Sequence, residues 1–518
     1  LATFMDANNL ASVSLGRVFG DLGGSVNNSK NDTYRAVFSL QGRLSDRWSW
    51  DAYYQYGRNE FRQDYTGNVV IARMRNAINA VTSGNQTVCA INADASAAND
   101  DPNCVPFNLF GRGNFSEVAR NYVAPSGFQA ANTTQHVIAA NINGELIDLP
   151  GGPLAIAGGG EFRSDKMVGS ADALSAANAL WSFNGKAING KIDVVEGYLE
   201  ATAPVLRGIS GANLLELNGA IRRTHYNRSS PSTVSSSLSV TTWKIGAVYE
   251  PIEGVRFRAT RSRDIRAPNL SELFGPVTLG RTTIVDPATG GSQIQVNAFS
   301  GANPLLAPEK ANTWTVGLVL SPSWEAVRSL KLSVDYFQIS VDGAIATLGS
   351  QTIVNRCASG ATEFCPFITR DGSGTLVEVQ DVLRNVNKQV NRGIDFEATY
   401  RTGIGSLGAL DFRVLATHYL ELSTRDSVGV TDRAGQTGFR AGTTTGMPSW
   451  TIDGLVTWTM NALTMSAHAR HISGGKLDAL LVGPEDAGYS VNLTNSVSSN
   501  RVAARTYFDL SAAYKITP

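Results

Sequence analysis

Hydrophobic and polar residues alternate along most of this chain, from about residue 33 to its end. In the stretch 48–56, WSWDAYYQY, aromatic and small apolar residues occupy the even positions and mostly polar residues the odd ones. The stretches 314–320, 394–401 and 508–515 repeat the pattern. A period of two residues is that of a β-strand with one apolar and one polar face, and helical periodicity is almost absent. The pattern therefore predicts an all-β protein.

The connections between the predicted strands alternate between short turns and long polar stretches. The short turns are 44–47, 149–153, 251–254 and 460–462. The long stretches are 61–133, 166–190, 227–237, 264–311, 342–384, 422–448 and 473–503. Placing strands between them gives about fifteen, each of about 10–14 residues. Short turns on one side and long loops on the other are typical of an outer-membrane barrel, so we predict a transmembrane antiparallel β-barrel.

Strand length and tryptophan spacing separate this interpretation from a soluble β-sandwich or propeller. Those folds have strands of about 5–6 residues, and their loops do not sort into long and short sides. Trp450 and Trp458 share a parity on one predicted strand. Eight residues of tilted strand advance about 20 Å along a membrane normal, which is close to the apolar band of about 25 Å between two aromatic girdles.

Composition narrows the class of protein. Charged residues make up 17% of the 518 residues, and 44 Lys and Arg balance 44 Asp and Glu. A nucleic-acid partner is not expected, since it requires a basic stripe. The chain begins at Leu1 without the pattern of a signal peptide and ends just after a good strand. We expect residues 1–32 to be a loop remnant of a truncated upstream region, and 33–518 to be a barrel domain incomplete at both ends.

The four cysteines form two local pairs in polar, irregular stretches, Cys89 with Cys104 and Cys357 with Cys365. A metal site would need a second pair or histidines nearby, and neither stretch has them. We predict two disulfides that close loops in an oxidising compartment, and no metal or cofactor.

Enzyme motifs are poor matches. The stretch 185–192, GKAINGKI, resembles a phosphate-binding loop but has Ile192 where a hydroxyl should reach Mg²⁺. The stretch 208–212, GISGA, fails the nucleophile elbow at its last residue. His468 and His471 lie three apart on a predicted strand, so their side chains point to opposite faces. We expect no catalytic residues and no enzyme.

The stretch 262–274, SRDIRAPNLSELF, is a charged corner at the end of an alternating strand. The strand starts at the short turn 251–254, so the corner lies on the long-loop side. Pro268 cannot donate to a strand ladder and ends the pairing. If the stretch were only the solvent-exposed start of a loop, the apolar residues of LSELF would be unexplained, since they need a surface to pack against. Four residues share the polar parity and are predicted to face the lumen: Arg256, Arg258, Asp264 and Arg266.

These residues resemble a known family. The stretch 262–274, followed by NPLLAPEKANTWTVGLVLSP at 303–322, looks like the paired signature of TonB-dependent outer-membrane receptors. The stretches 149–165 and 383–401 fit the same family's strand pattern. The resemblance implies a 22-stranded barrel, a plug domain that fills it, and uptake of scarce nutrients driven by an inner-membrane coupling complex.

The resemblance implies roles for two groups of residues. An inward-folding segment near the plug and the ligand path would contain Arg263, Asp264, Arg266, Pro268, Asn269 and Glu272. The return into the next strand would be set by Pro304, Pro308, Glu309 and Lys310. Loop aromatics such as Phe107, Phe110, Phe115 and Trp181 would either stack on a sugar or aromatic chelator, or form loop cores.

The plug with its coupling box and the family's terminal aromatic strand are absent from the sequence. The turn after Lys515 falls on the short-turn side, so two more strands would close an even barrel, which would make these strands roughly six to twenty of 22. The expected function is energy-coupled uptake of a ferric siderophore, cobalamin or glycan by an outer-membrane receptor. The expected partners are outer-membrane lipid and lipopolysaccharide, the TonB complex through the missing plug, and an unidentified nutrient, with the receptor a monomer. Two alternatives stay open: a passive porin-like channel, and an extracellular β-rich binding module.

Overall fold

One large antiparallel sheet dominates the protein. The computed structural model describes residues 5, 7–8, 16–18, 20–231, 233–290, 292–324, 327, 329–425, 429–439, 445–493 and 495–516. Within them the sheet has 16 strands; all but one pair in chain order, and the short strand Val430–Asp432 pairs with an end of its neighbour. The strands in chain order are β1 Val26–Ser45, β2 Trp48–Thr66, β3 Gly127–Leu149, β4 Gly152–Ala171, β5 Asn189–Ile209, β6 Ala212–Ser230, β7 Thr233–Ile252, β8 Val255–Arg266, β9 Glu309–Leu320, β10 Lys331–Ala346, β11 Arg384–Gly403, β12 Ala409–Arg425, β13 Trp450–Met460, β14 Leu463–Ile472 and β15 Arg505–Tyr514.

The prediction of an all-β chain with about fifteen consecutive antiparallel strands is confirmed, but most strands are longer than the predicted length of about 10–14 residues and extend into stretches predicted to be loops. β1 starts at Val26, so the end of the stretch expected to be a loop remnant belongs to the sheet. The long loop predicted at 227–237 is wrong, because β6 runs to Ser230 and β7 starts at Thr233. That stretch is rich in serine and has few apolar residues, so its sequence pattern is that of a loop. Its backbone nevertheless continues the hydrogen-bonded pairing of β6 with β7.

The two faces of the sheet differ in chemistry, as the alternation predicted. We call the face that exposes large hydrophobic side chains the apolar face. On β4 to β9 it carries Phe162, Val195, Ile221, Ile245, Phe257 and Val316, each 39–57% exposed. We call the other face the polar face, and its charged side chains pair with one another. Its ion pairs include Arg163–Glu161, Arg222–Glu196 and Arg256–Glu250.

Connections on one side of the sheet are short, and those on the other side are long except between β6 and β7, where β6 ends at Ser230 and β7 starts at Thr233. β1–β2, β3–β4, β5–β6, β7–β8 and β13–β14 are joined by tight turns, and the four turns predicted from sequence are among these. Gly254 shows why one of these turns is specific. Its φ is +83°, and a Cβ there would lie 2.2 Å from the carbonyl oxygen of Ser321. Only glycine fits this left-handed, crowded position.

From β1 onward, the helices of the described residues lie in the connections, and the 3₁₀ turn Gly20–Leu22 precedes β1. They are α1 Ile71–Ile78, α2 Glu117–Val123, α3 Ala173–Ala176, α4 Leu270–Phe274 and α5 Ser350–Ala358, with 3₁₀ turns at Gly20–Leu22, Ala90–Asn92, Pro287–Thr289, Thr362–Phe367 and Gly405–Leu407. In the described part of the chain, no helix is long and apolar enough to cross a bilayer. The α-helices outside the main sheet thus belong to the long connections.

Candidate functional site

The chain leaves β8 through Pro268 and forms the short helix α4. The start of α4 is fixed by a reciprocal cap: the Asn269 side chain accepts from the Glu272 backbone N–H at 2.8 Å, and the Glu272 carboxylate accepts from the Asn269 backbone N–H at 2.9 Å. This arrangement satisfies two N–H groups that a helix start otherwise leaves without a partner. The sequence APNLSEL therefore encodes a defined corner.

α4 lies against the polar face of the sheet. Leu270 and Leu273 are buried, and Leu273 is only 1% exposed. The Phe274 ring packs on Gly190 of β5, where a Cβ would come within 2.2 Å of the ring. Burying two leucines contributes on the order of 3–6 kcal/mol. The buried cluster that receives α4 contains Ile192, Val194, Tyr226 and Leu306.

Arg266 holds this corner together. Its Nε and Nη2 donate to the two carboxylate oxygens of Glu309, each at 2.8 Å. Its Nη1 donates to both oxygens of Glu272 at 3.0 and 2.9 Å. Glu309 also accepts from the backbone N–H of Ile345 at 2.8 Å. One guanidinium thus links the ends of β8, β9 and β10 to α4.

The other predicted polar-face charges of β8 also bind protein partners. Arg256 donates to Glu250 at 3.0 and 2.8 Å, and Arg258 donates to Asp335 at 2.7 and 2.5 Å. Asp264 accepts from the Ser262 hydroxyl at 2.7 Å. The acids that neutralise the arginines were not identified from sequence, because strand register decides which acid meets which base.

Arg263 does not join this group. Alternation puts it on the apolar face of β8 with Phe257, opposite Trp243 in the register with β7. Its Nε donates to the Asn312 side chain at 3.1 Å. The sequence interpretation grouped Arg263 with Asp264 and Arg266, but adjacent residues of one strand point to opposite faces.

The return segment into β9 is fastened to α4 and to β11. Pro308 is buried immediately before β9 begins, and Pro304 is half-buried. The Asn303 backbone N–H donates to the Glu272 carbonyl at 2.9 Å. The Asn385 side chain of β11 donates to the Ala307 carbonyl at 2.7 Å and accepts from its N–H at 2.8 Å. Lys310 follows on β9 and is exposed on the apolar face.

Two long connections, 267–308 and 347–383, form one body. Their strands build a four-stranded sheet in the order Val277–Asp286, Ser292–Gly301, Leu376–Val382, Ile368–Arg370, with the middle pair parallel. α5 packs against it. The shared buried core contains Ile284, Val296, Ile353, Val354, Phe364, Leu376 and Val379. The sequence did not reveal this joint body, since its paired strands are separated along the chain by β9 and β10.

A buried ion pair and a disulfide reinforce this body. Asp286 is fully buried and accepts from Arg370 Nη1 and Nη2 at 2.7 and 2.9 Å. The Arg370 hydrogen bonds hold the pKa of Asp286 below its usual value. Cys357 and Cys365 are bonded, which joins the end of α5 to the 3₁₀ turn that follows. The predicted pairing of these cysteines is confirmed.

The connections 67–126 and 172–188 also pack together. Cys89 and Cys104 form the second predicted disulfide. The Tyr65 hydroxyl donates to Asp172 at 2.6 Å, and the backbone N–H of Ser175 donates to Asp172 at 3.0 Å. Burial would raise the pKa of Asp172, but these hydrogen bonds outweigh it and lower the pKa to about 2.

The loop aromatics divide between core and surface. Phe107 is buried and stacks on Phe115 with ring centroids 4.6 Å apart, so this pair is a loop core. Phe110 and Trp181 are 54% and 76% exposed. Only the exposed two are open to a ligand.

The family described as TonB dependent receptor-like, beta-barrel, matches residues 3–518 of the chain. The chain belongs to this family. Its members are outer-membrane β-barrel receptors that act in transport, so the large sheet is barrel wall, its apolar face the lipid side and its polar face the lumen side. No curated protein matches the chain.

Solved structures share the fold of this receptor barrel. FpvA of P. aeruginosa, solved with a heterologous pyoverdine and iron, has a TM-score of 0.51 and 12% identity, and the match covers 94% of this chain and 50% of FpvA. The copper transporter OprC has a TM-score of 0.51 and 11% identity, and the match covers 96% of this chain and 59% of OprC. The chain thus spans about half to three-fifths of the length of these structures.

Proposed function

We propose that this chain is the wall of an outer-membrane receptor that takes up a scarce nutrient by TonB-dependent, energy-coupled transport. The observation that carries the proposal is α4, which Arg266 holds on the polar face at the end of the wall where the long connections lie. A segment fixed on the lumen side narrows the path and offers a surface to a plug or ligand. A passive channel is the alternative, and the uptake experiment below separates the two.

The partners follow from this placement. The plug and the box that TonB grips would come from the remainder of the receptor, and the wall would lie in outer-membrane lipid and lipopolysaccharide as a monomer, without enzymatic activity. The nutrient is a ferric siderophore, cobalamin or a glycan. FpvA, solved with pyoverdine and iron, favours an iron chelate, and the copper transporter OprC leaves a metal cargo as the next choice.

Uptake by the full-length receptor tests the proposal. Cells that express it would be given a panel of ⁵⁵Fe-loaded siderophores, with and without TonB and with and without a protonophore. We expect saturable uptake of at least one chelate that falls to background when either TonB or the proton gradient is lost. Uptake that does not saturate and is indifferent to both would identify a passive channel.

A further inference from the structure

Three arginines on the apolar face have no acidic partner. On the polar face of β6 and β8, Arg222, Arg256, Arg258 and Arg266 each lie within 3.0 Å of a carboxylate oxygen. On the apolar face of the same two strands, Arg223, Arg261 and Arg263 form no ion pair with any residue that the structure describes. We call these three side chains the outer arginine patch.

The patch begins where the apolar band stops. Along β8, from the tight turn toward the long connection, the apolar face carries first Phe257 and Ala259 and then Arg261 and Arg263. Arg261 pairs in register with Ile245 on one side and Trp314 on the other, and its guanidinium lies 4.6 Å from the Trp314 ring centre. Aromatic residues mark the interface between hydrocarbon and headgroups in transmembrane barrels. The patch is therefore at headgroup level.

The three guanidinium groups lie within reach of one anionic headgroup. Arg261 and Arg263 are two residues apart on one strand, about 7 Å. Arg223 is two strands away from Arg263 and offset from it by two residues, since Arg223 pairs with Thr241 and Arg263 with Trp243, which separates the two by about 12 Å. Among the described residues, each guanidinium donates one hydrogen bond, and its acceptor is neutral. These contacts are Arg223 to the Thr241 hydroxyl at 2.8 Å, Arg261 to the Thr313 carbonyl at 3.5 Å, and Arg263 to Asn312 at 3.1 Å.

The acid beside the patch is already engaged. Asp342, on the apolar face of β10, binds Lys388 at 3.5 Å and accepts from Asn312 at 3.2 Å. Lys310 of β9 adds a further exposed cation on the same face. The patch thus has a net positive charge that the protein does not compensate, in contrast to the paired polar-face arginines.

On the apolar face of β2, the arginines in the half of the strand nearer the long connection are paired with acids. Arg58 binds Glu60 at 2.6 Å, and Arg62 binds Asp64 at 2.7 Å. β2 thus differs from β6 and β8, whose apolar-face arginines form no ion pair within the described residues.

We propose that the outer arginine patch binds the phosphate of an anionic, phosphorylated lipid headgroup in the outer leaflet. Guanidinium groups hold phosphate through paired, charge-assisted hydrogen bonds, and the apolar side chains below the patch would accept the acyl chains of the same molecule. The proposal rests on the outer-membrane location given in the proposed function. It adds a specific lipid site on one side of the wall.

The test uses the full-length receptor, delipidated in a neutral detergent, and bisphosphorylated lipid A as the probe. Native mass spectrometry would measure lipid A bound to the wild type, to an Arg261→Gln/Arg263→Gln variant, and to Arg58→Gln, whose arginine is on the same face but paired. We expect occupancy to fall at least fivefold in the double variant and to stay within twofold in Arg58→Gln. Arg261→Lys/Arg263→Lys, which keeps the charge, should retain more lipid than the glutamine variant.

Two results would overturn the proposal. Equal lipid A occupancy in all variants would show that the patch does not select lipid. Displacement of lipid A by inorganic phosphate at equal concentration would show a site for free anions. Heat-modifiable gel mobility tests whether the barrel is folded, and energy-coupled uptake tests the proposed function. The lipid site can therefore be wrong while both of these measurements still support the receptor.

Discussion

Arg266 and Glu309 form an ion pair with two hydrogen bonds, in which Nε and Nη2 of the arginine each lie 2.8 Å from a carboxylate oxygen. Because the same guanidinium also holds Glu272, it neutralises acids from two separate segments, the return into β9 and the cap of α4. Arg266 thus positions α4 on the polar face. Under the proposed function, the exposed side of α4 is the surface that a plug or ligand would meet.

Arg266→Ala should release α4 without unfolding the wall. Glu272 and Glu309 would face each other without a cation, and since Arg266 is 46% exposed the cost should be about 1–2 kcal/mol. We expect faster hydrogen exchange in 270–274 and reduced nutrient uptake by the full-length receptor, with unchanged heat-modifiable mobility. Arg281→Ala, an exposed arginine on Val277–Asp286, is the matched control and should change neither. If both variants behave alike, Arg266 has no positioning role.

The disulfide Cys357–Cys365 should stabilise the body formed by connections 267–308 and 347–383. Closing a loop of 8 residues contributes about 2–3 kcal/mol on the chain-entropy description. Cys357→Ser/Cys365→Ser should make this body more sensitive to protease while β11 stays protected. Peptide mapping of protein purified without reductant should find both disulfides. Four free thiols would contradict the assignment.

The Asp286–Arg370 pair should make the same body sensitive to acid. The folded-state pKa of Asp286 lies below its ordinary value of 3.8, because Arg370 stabilises the carboxylate. A lowered folded-state pKa means that the stabilisation is fully present above pH 3.8 and is lost as the pH falls through the folded-state pKa.

Asp286→Asn tests this coupling. We expect the variant to lose about 2–3 kcal/mol of local stability at pH 7, because Arg370 keeps its charge but only part of it reaches water. Limited proteolysis at pH 7 and at about pH 2 would measure the difference from the wild type. That difference should shrink in acid. A difference that is the same at both pH values would mean that the carboxylate charge does not stabilise the body.

The strands of the wall were predictable from sequence because apolar and polar residues alternate along each strand, and this local pattern needs no knowledge of the strand's neighbours. Strand ends were less predictable: β6 and β7 continue past Asn227 through residues that look like a loop. The corner at Arg266 was found through its motif, but its partners were not, since Glu309 meets it only through the pairing of β8 with β9. The separation of Arg263 from Arg266 follows from parity and should have been read from the sequence.

The joint loop body was beyond reach for a different reason. Its parallel pair, Ser292–Gly301 with Leu376–Val382, joins segments on either side of β9 and β10. Nothing in the local pattern of either segment specifies the other. Burial of Ile284 and Ile353 in one core is a property of the assembled structure.

Cysteine labelling in intact cells tests the central claim most directly, namely that the sheet is a wall spanning the outer membrane with the long connections outside. All cysteines in the described residues are in disulfides, so the background should be low. Gln293→Cys lies on the exposed surface of the joint loop body, and Glu253→Cys lies in the tight turn between β7 and β8. A membrane-impermeant maleimide should label the first in intact cells and the second only after the outer membrane is opened. Labelling of Glu253→Cys in intact cells, with Gln293→Cys protected, would contradict the account.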